Sequence, residues 1–356
     1  TSQKYSVCLV RKELTMLNGK TILITGGTGS FGKKMTQIAL ENYNPKKLII
    51  FSRDELKQFE MSQRWSTKKY PCLRYFIGDV RDKDRLIHAF HGIDYVIHAA
   101  ALKQVPAAEY NPTEFIKTNI IGAMNIIDAA LFNNVQKVIA LSTDKACNPI
   151  NLYGATKLCS DKLFIAANAY SGRGAIFTVV RYGNVMGSRG SVVPFFKERA
   201  ATGVLPITDP RMTRFWITLD QAVHFVLKVL ELAKGEETFV PKIPSMKIAD
   251  LAEAIAPNCT HKIIGIRPGE KIHETLIGED EGRNTMEYKE CFIIKENLTG
   301  ESELNGSKKC PEGFQYTSDN NPDVISIEEL RNILEQISDD YSIEKSRWAM
   351  EDIIQQ

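Results

Sequence analysis

The sequence lacks three features, each of which would have placed it in a special class of protein. Its formal net charge is only +2, too small to indicate a nucleic-acid or a membrane-surface partner. No uninterrupted apolar run approaches the ~20 residues needed to span a bilayer. Its seven cysteines are odd in number and scattered, without metal-ligand spacing, which is typical of free thiols in a reducing compartment. We therefore expect a cytoplasmic globular protein without a metal site.

The bulk composition agrees with a folded chain. The 356 residues are 43% hydrophobic and 25% charged, without an internal repeat or a low-complexity tract. Residues 1–15 do not form a convincing signal peptide, because the apolar segment Val7 to Val10 is too short. We expect the native start at Met16, with 1–15 an N-terminal extension or an expression remnant.

Apolar runs alternate with helical patterns through the first half, which predicts a parallel sheet covered on both faces. The expected fold class is α/β: a Rossmann-type doubly wound parallel sheet with a smaller α/β lobe that binds substrate. The predicted strands and intervening helices are Thr21–Thr25, Leu48–Phe51, Arg74–Ile77, Tyr95–His98, Lys137–Leu141 and Ile176–Val180, with helices near Phe31–Asn42, Asp54–Arg64, Asp82–Phe90, Thr113–Asn133 and Tyr153–Ala169.

The second half is less regular. Helices are predicted at Leu219–Lys234, Ile248–Ala256 and 327–337, short strands at His261–Ile266 and Cys291–Lys295, and a polar surface loop at 297–321. We place the first domain at 16–181 and the second lobe at 182–356, with later segments crossing back to the first domain.

A glycine-rich segment follows the first predicted strand and opens the first helix. The glycines at 26, 29 and 32 allow a tight turn, close backbone approach to a pyrophosphate and close helix–strand packing. This context predicts a dinucleotide site in the first domain. The residues assigned to it from this segment are Gly26, Thr28, Gly29, Ser30, Phe31 and Gly32.

The end of the second predicted strand indicates which dinucleotide is bound. An acidic residue there would bind an unphosphorylated ribose, whereas Ser52 and Arg53 offer a hydroxyl and a guanidinium that suit a 2′-phosphate. The pattern favours NADP over NAD. The alternative is that Arg53 is a solvated surface residue and Asp54 binds the ribose.

Further along the chain, other positions are candidates for the cofactor site. Asp79 and Val80 follow the third strand and are candidates to bracket the adenine, and Asn119 is a candidate to orient a lysine through a polar relay. Small residues follow the fourth strand, where the cofactor would pass close, although plain packing explains them equally well. They are Ala99, Ala100 and Ala101.

The most informative segment is 142–157, which follows a buried strand where open α/β sheets bind ligands. Tyr153 and Lys157, four apart, share one helix face, and a neighbouring lysine lowers a phenol's pKa. The pair suits a base that takes a proton from an alcohol while a nicotinamide takes the hydride. The Thr-Asp-Lys triplet at 143–145 implies a further acid/base step, although an Asp–Lys neighbour pair is also compatible with a plain salt bridge.

Together these segments resemble extended short-chain dehydrogenases that act on nucleotide sugars, and more narrowly the inverting UDP-N-acetylglucosamine 4,6-dehydratases, a class of lyases. The resemblance runs from about Met16 to Glu290, and Gln104 stands where relatives often have histidine. It rests on T-G-G-T-G-S-F-G, H-A-A-A-L-K, S-T-D-K-A, Y-G-A-T-K, R-Y-G-N-V-M-G-S-R-G-S-V-V-P-F-F, M-T-R-F-W-I and I-R-P-G-E-K.

The resemblance implies catalytic roles. Tyr153 would take the proton of the 4-hydroxyl while NADP accepts the hydride, with Lys157 holding the ribose and Thr143 hydrogen-bonding the 4-oxygen. Lys145 would then remove the proton from carbon 5, and Asp144 would protonate the departing 6-hydroxyl. For these last roles we expect a depressed pKa for Lys145 and a raised pKa for Asp144.

The resemblance also implies a nucleotide-sugar site. Asn184 is expected at the diphosphate, Arg214 and Arg267 as pyrophosphate clamps, Glu270 at the uridine ribose and Lys103 near the sugar. The alternative for each is a surface or structural role.

The implied product is UDP-2-acetamido-2,6-dideoxy-β-L-arabino-hex-4-ulose, the first intermediate toward pseudaminic acid for flagellin or surface glycans. The implied assembly is a homo-oligomer such as a hexamer. Three rivals stay open: a UDP-hexose 4-epimerase that uses Tyr153 and Thr143 alone, a multifunctional capsule-pathway dehydratase/epimerase, and a non-catalytic NADP-binding regulator.

Overall fold

The structure of the protein is a computed structural model that describes residues 15–172, 174–188, 191–295 and 306–345. The expectations for 1–14 and for the first part of the 297–321 loop lie outside the described residues. The strands are β1 (Thr21–Thr25), β2 (Lys47–Ser52), β3 (Leu73–Ile77), β4 (Tyr95–His98), β5 (Lys137–Thr143), β6 (Ile176–Tyr182), β7 (Asn184–Val185), β8 (Val204–Ile207), β9 (Thr213–Ile217), β10 (Glu237–Pro241), β11 (Ser245–Lys247), β12 (Thr260–Ile263), β13 (Thr275–Ile277), β14 (Thr285–Tyr288), β15 (Cys291–Lys295), β16 (Lys308–Lys309) and β17 (Tyr316–Thr317).

The helices match the predicted alternation closely through the first half. The α-helices are α1 (Ser30–Asn42), α2 (Glu55–Arg64), α3 (Lys83–Ala89), α4 (Val105–Tyr110), α5 (Pro112–Phe115), α6 (Gly122–Phe132), α7 (Leu152–Ala167), α8 (Val192–Arg199), α9 (Leu219–Leu232), α10 (Ile248–Ile255), α11 (Glu279–Gly282) and α12 (Ile327–Lys345). A π-helical turn joins α5 to α6, so the predicted helix 113–133 is continuous but locally widened.

A ten-stranded central sheet organises the molecule, in the order β16-β14-β15-β10-β6-β5-β4-β1-β2-β3. The strands from β10 to β3 are parallel to their neighbours, and β15 pairs antiparallel with β10. All of β1 is buried, as expected for a strand covered on both faces. This is the predicted doubly wound α/β fold, and its strand order reverses between β1 and β4, where such sheets bind ligands.

The smaller lobe is built from short sheets and three helices. Strands β11, β9 and β7 form one sheet, and β8 pairs with β12. Helices α8, α10 and α12 pack around a separate core that includes Phe196, Leu205, Trp216, Met246 and Leu251. The lobe therefore has an apolar centre of its own beside the carboxyl ends of the central sheet.

One helical stretch, Pro112–Phe132, has the length and composition of a membrane span. Of its most apolar window, 56% is buried inside the molecule. Ala123, Ile126 and Ile127 pack in the same cluster as Leu23 of β1. The stretch therefore serves as a core helix on one face of the central sheet.

Candidate active site

A large cleft opens where the carboxyl ends of the parallel strands face the smaller lobe. Its volume is about 1460 Å³, more than the ~300–1,000 Å³ typical of a site for one small ligand, so it has room for two. Most of the predicted site residues line it: Gly26, Thr28, Gly29, Ser30, Phe31, Ser52, Arg53, Asp79, Val80, Ala99, Ala100, Ala101, Lys103, Thr143, Lys145, Tyr153, Lys157, Asn184, Arg214 and Glu270.

The glycine-rich turn has the geometry that a dinucleotide requires. Gly26 adopts a positive φ of 64°, and a Cβ there would lie 2.9 Å from the Cα of Ala100. A Cβ on Gly32 would lie 2.3 Å from the carbonyl oxygen of Gly27, so Gly32 packs behind the turn rather than in the cleft wall. Helix α1 begins at Ser30, so its amino-terminal N–H groups are placed to bind a pyrophosphate.

The end of β2 forms the basic end of the cleft. Arg53 is half exposed, with Nη1 3.8 Å from Asp79 Oδ2. The carboxylate of Asp54 caps α2, accepting from the Lys57 backbone N–H at 3.0 Å and pairing with the Lys57 ammonium at 2.5 Å. Both Arg53 and Asp54 line the cleft, and these contacts engage the Asp54 carboxylate. Further cations line the same cleft: Lys33, Lys34, Lys57 and Arg64.

Asn119 lies in the π-helical turn and is buried behind the cleft wall. Its side chain exchanges hydrogen bonds with both backbone groups of Leu102, at 2.9 and 3.0 Å, and donates to Thr156 Oγ1 at 3.0 Å. Asn119 therefore ties the loop after β4 to α7. These partners do not include Lys157, so among the described residues the predicted relay is not direct.

The predicted catalytic segment is held between β5 and α7. Strand β5 ends at Thr143, and Asp144–Ala146 forms a single 3₁₀ turn. Asn151 caps α7 by accepting from the Gly154 N–H at 2.8 Å. A Cβ on Gly154 would lie only 2.1 Å from the Lys145 carbonyl oxygen, so glycine is what lets the turn rest against the helix.

Replacing Gly154 with alanine is therefore expected to displace Lys145 and to lower the free energy of unfolding by about 1–3 kcal/mol through overpacking. Urea denaturation and steady-state activity measure the two effects. Gly122→Ala is the matched control, because its Cβ would meet a Val80 side-chain methyl at 2.9 Å rather than backbone. Equal stability of the two variants would contradict the packing argument.

Tyr153 and Lys157 both lie on α7 and are buried. Burial raises the pKa of the Tyr153 phenol to about 12, while Lys145 and a hydrogen bond with Thr143 lower it. The expectation that an adjacent lysine leaves a lowered phenol pKa is therefore wrong for the structure as it stands, because burial dominates. The Lys157 ammonium donates to the Leu141 carbonyl at 2.9 Å.

Lys145 does not have the depressed pKa that the sequence argument required. Its Nζ lies 3.0 Å from Asp144 Oδ1 and 3.4 Å from Glu274 Oε1. Burial lowers the pKa of Lys145, but the attraction of Asp144 and Glu274 outweighs it, so the net pKa lies above its ordinary value. The resting site therefore holds Lys145 as an ammonium in an ion pair.

Asp144 is fully buried and lies behind the cleft wall. Its Oδ1 accepts from Thr143 Oγ1 at 2.8 Å and from Lys145, whereas Oδ2 has no partner among the described residues. Direct proton donation by Asp144 therefore requires Oδ2 to turn toward the cleft, or passage of the proton through Lys145 or Thr143.

Glu274 is a site residue that the sequence argument missed. It precedes β13, lines the cleft and is 2% exposed. It reaches Lys145 across 129 positions of chain, and no local pattern distinguishes it from the other acidic residues. The tertiary fold alone reveals it.

The residues expected to bind the nucleotide sugar differ in whether they lie in the cleft and in whether other contacts engage them. Asn184 Oδ1 lies 3.5 Å from Lys145 Nζ in the cleft. Arg214 is largely committed to backbone, because Nη1 donates to the carbonyl of Ile272 at 2.9 Å and Nη2 to that of Lys271 at 3.0 Å. Arg267 is outside the cleft lining, with Nη1 4.0 Å from Glu270 Oε1. Their substrate roles stay predictions.

Comparison with known proteins found a matching family and similar relatives. A family profile described as polysaccharide biosynthesis protein matches residues 22–296. A UDP-N-acetylglucosamine 4,6-dehydratase (inverting) of Campylobacter jejuni is 60% identical over 331 residues, covering 90% of this chain and 98% of the relative.

Two solved structures are similar in fold. Pen from Bacillus thuringiensis has a TM-score of 0.83 at 39% identity, covering 90% of this chain and 99% of Pen. DesIV, a dTDP-glucose 4,6-dehydratase from Streptomyces venezuelae with NAD and TYD bound, has a TM-score of 0.64 at 21% identity, covering 71% and 86%. The second likeness concerns the fold alone.

Proposed function

The chain belongs to the polysaccharide biosynthesis protein family, and from this membership we infer that it is a configuration-inverting UDP-N-acetylglucosamine 4,6-dehydratase. One observation carries the inference: Lys145 lies in one cleft with the Tyr153–Lys157 pair and is paired with Asp144 behind the cleft wall, in a chain 60% identical to an enzyme of that name. A simple alcohol oxidation needs only the Tyr–Lys pair, whereas loss of water needs an additional base and acid.

The first step is oxidation at carbon 4. Tyr153 takes the proton of the 4-hydroxyl as its phenolate, a form that the positive charge of a bound oxidised nicotinamide would favour against the effect of burial. Thr143, which hydrogen-bonds with that phenol, also binds the 4-oxygen. Lys157 holds the cofactor ribose. A nicotinamide dinucleotide held there would supply the hydride chemistry, as acceptor for carbon 4 and later as donor for carbon 6. With a solvent-derived proton added at carbon 5, the net reaction would be loss of water.

The second step is elimination. The 4-ketone acidifies the proton on carbon 5, Lys145 accepts that proton, and the electron pair of the broken C–H bond forms the C5–C6 double bond. The 6-hydroxyl leaves as water with a proton from Asp144, which reaches it after Oδ2 turns toward the cleft or by way of Thr143. Transfer of one proton from Lys145 to Asp144 along their 3.0 Å hydrogen bond yields the neutral amine and the protonated acid together. The raised pKa of Lys145 opposes this transfer in the resting site. The positive charge of a bound oxidised nicotinamide would favour the transfer by lowering that pKa.

We propose NADP as the cofactor. The proposal is supported by Arg53 at the end of β2, by the capping role that occupies Asp54, and by the further cations in the same part of the cleft. A 2′-phosphate carries the charge that such a cluster would neutralise.

Replacing Arg53 with alanine is expected to weaken NADP binding about 10- to 100-fold, the loss of one charge-assisted hydrogen bond, and to change NAD binding little. Isothermal titration calorimetry with both dinucleotides measures this. Arg283→Ala, which removes an exposed arginine paired with Asp280, is the control. An equal loss for NADP and NAD would contradict the assignment.

We also propose UDP-2-acetamido-2,6-dideoxy-β-L-arabino-hex-4-ulose as the product, with inversion at carbon 5. Cytoplasmic location, a homo-oligomeric assembly and a place at the start of pseudaminic acid synthesis extend the proposal. These extensions rest on the family resemblance. The substrate in this proposal is UDP-N-acetylglucosamine.

Incubating the purified protein with NADP and UDP-N-acetylglucosamine and analysing the products by mass spectrometry tests the function. A nucleotide sugar lighter by one water supports the dehydratase. An isomer of unchanged mass would mean a 4-epimerase instead, and unaltered substrate would point to another nucleotide sugar or to a non-catalytic binder.

A further inference from the structure

The backbone of Glu274 is fixed from both sides. Its N–H donates to Ser318 Oγ at 2.9 Å, and its carbonyl accepts from the Ser318 N–H at 2.8 Å. Ser318 Oγ also lies 2.6 Å from Thr213 Oγ1 of β9. Two segments distant in sequence therefore set the direction of the Glu274 side chain.

The Glu274 carboxylate lies beside the ammonium of Lys145, the catalytic lysine. Its Oε1 lies 3.4 Å from Lys145 Nζ and 3.7 Å from Arg214 Nε, while Oε2 is buried without a partner among the described residues. Burying a carboxylate is costly unless it is paired. A buried carboxylate held at the catalytic lysine in this way indicates a functional role in addition to packing.

We propose that Glu274 is a positioning residue for the dehydration: it anchors Lys145 at the cleft and retains, through its negative charge, the proton that Lys145 and Asp144 share. The proposal rests on the proposed function. Glu274 acts through Lys145 and is not itself the acid or the base.

The number of protons on the Lys145–Asp144 pair determines whether the pair can react. The resting ion pair and the reactive form, a neutral Lys145 with a protonated Asp144, hold the same number of protons. Loss of that proton to solvent leaves a neutral amine beside a carboxylate, which has a base but no acid for the departing hydroxyl. A charge that keeps the proton on the pair therefore keeps the enzyme active to more alkaline pH.

The charges around Lys145 determine the direction in which its pKa moves when Glu274 is replaced. Burial lowers the pKa of Lys145, Asp144 and Glu274 raise it, and Arg214 lowers it. Lys103 and the Tyr153 phenol also face it, since Lys145 lowers the pKa of both. Removing the Glu274 charge leaves burial and the neighbouring cations opposed by Asp144 alone. The proton is then lost at lower pH.

The test is the pH dependence of kcat for Glu274→Gln, measured with NADP and UDP-N-acetylglucosamine from about pH 6 to about pH 10. The alkaline decline in kcat of the wild type is expected above this range, because the pKa of Lys145 is raised. The decline of Glu274→Gln is expected to enter the range, because loss of an opposite charge at this distance lowers a pKa by ~1–3 units. Glu274→Asp keeps the charge, so its decline is expected near that of the wild type even if kcat falls. Glu279→Gln, at an exposed acid after β13, is the matched control.

A merely structural role predicts a lower kcat with an unmoved alkaline decline, and that result would overturn the proposal. If Glu274→Gln does not fold, Glu274→Ser, which also removes the charge, is measured instead and must show the same shift. If the wild-type enzyme forms no dehydrated product, the proposed function itself is refuted. The wild-type measurement in the same series shows this before any variant is compared.

Discussion

Lys145→Arg is expected to lower the rate of dehydration about 10³-fold, the size of effect seen when a positioned base is lost. Arginine keeps the positive charge that pairs with Asp144 and Glu274, so the buried carboxylates stay partnered. Its guanidinium does not give up a proton at accessible pH and so cannot remove the proton from carbon 5. Oxidation at carbon 4 depends on Tyr153 and is expected to continue.

Stopped-flow absorbance of the reduced nicotinamide separates the two steps. The variant is expected to show reduced cofactor after substrate is added, with little dehydrated product. Lys83→Arg, in an exposed pair with Asp128, controls for the substitution itself. Dehydration at near wild-type rate in Lys145→Arg would show that another group removes the proton.

Tyr153→Phe is expected to lower the rate by about 10³- to 10⁴-fold, because the phenol that takes the 4-hydroxyl proton is gone. The phenylalanine ring retains the packing of Tyr153 against Ala108 and Phe115, so the fold should be unchanged. Unlike Lys145→Arg, this variant is expected to show no reduced cofactor after substrate is added. The two variants therefore block consecutive steps.

The control for this substitution is Tyr170→Phe, which removes a hydroxyl from an exposed tyrosine just beyond α7. Substrate affinity of Tyr153→Phe, measured by calorimetry, is expected to stay within a few-fold of the wild type. Rapid cofactor reduction in this variant would mean that another residue, such as Thr143, accepts the proton.

Most of the central sheet was predictable because its strands are continuous apolar runs alternating with helices. Strand β10 was missed. Its sequence, Glu-Thr-Phe-Val-Pro, begins with an acid and ends with a proline, both uncommon in an interior strand. Long-range pairing with β6 and β15 overrides that composition, and Glu237 is satisfied by Thr178 Oγ1 at 3.2 Å and the Gly235 N–H at 2.8 Å.

In the candidate site too, features set by local sequence were predictable and features set by long-range contacts were not. The Tyr153–Lys157 pair and the glycine-rich turn were predictable, because their chemistry depends on local spacing. The state of Lys145 was only partly predictable. Its pKa is raised first by Asp144, its neighbour in sequence, and then by Glu274, which only the folded chain brings within 3.4 Å. The depressed pKa expected for Lys145 was inferred from cations and burial, without the attraction of these two carboxylates.

Proton NMR of the reaction with UDP-N-acetylglucosamine in deuterium oxide distinguishes dehydration with inversion from epimerisation. We expect a 6-deoxy-4-keto sugar with deuterium at carbon 5 and inverted configuration there, since Lys145 removes that proton and solvent-derived hydrogen returns on the opposite face. Formation of UDP-N-acetylgalactosamine alone, with no 6-deoxy sugar, would contradict the assigned roles of Asp144 and Lys145.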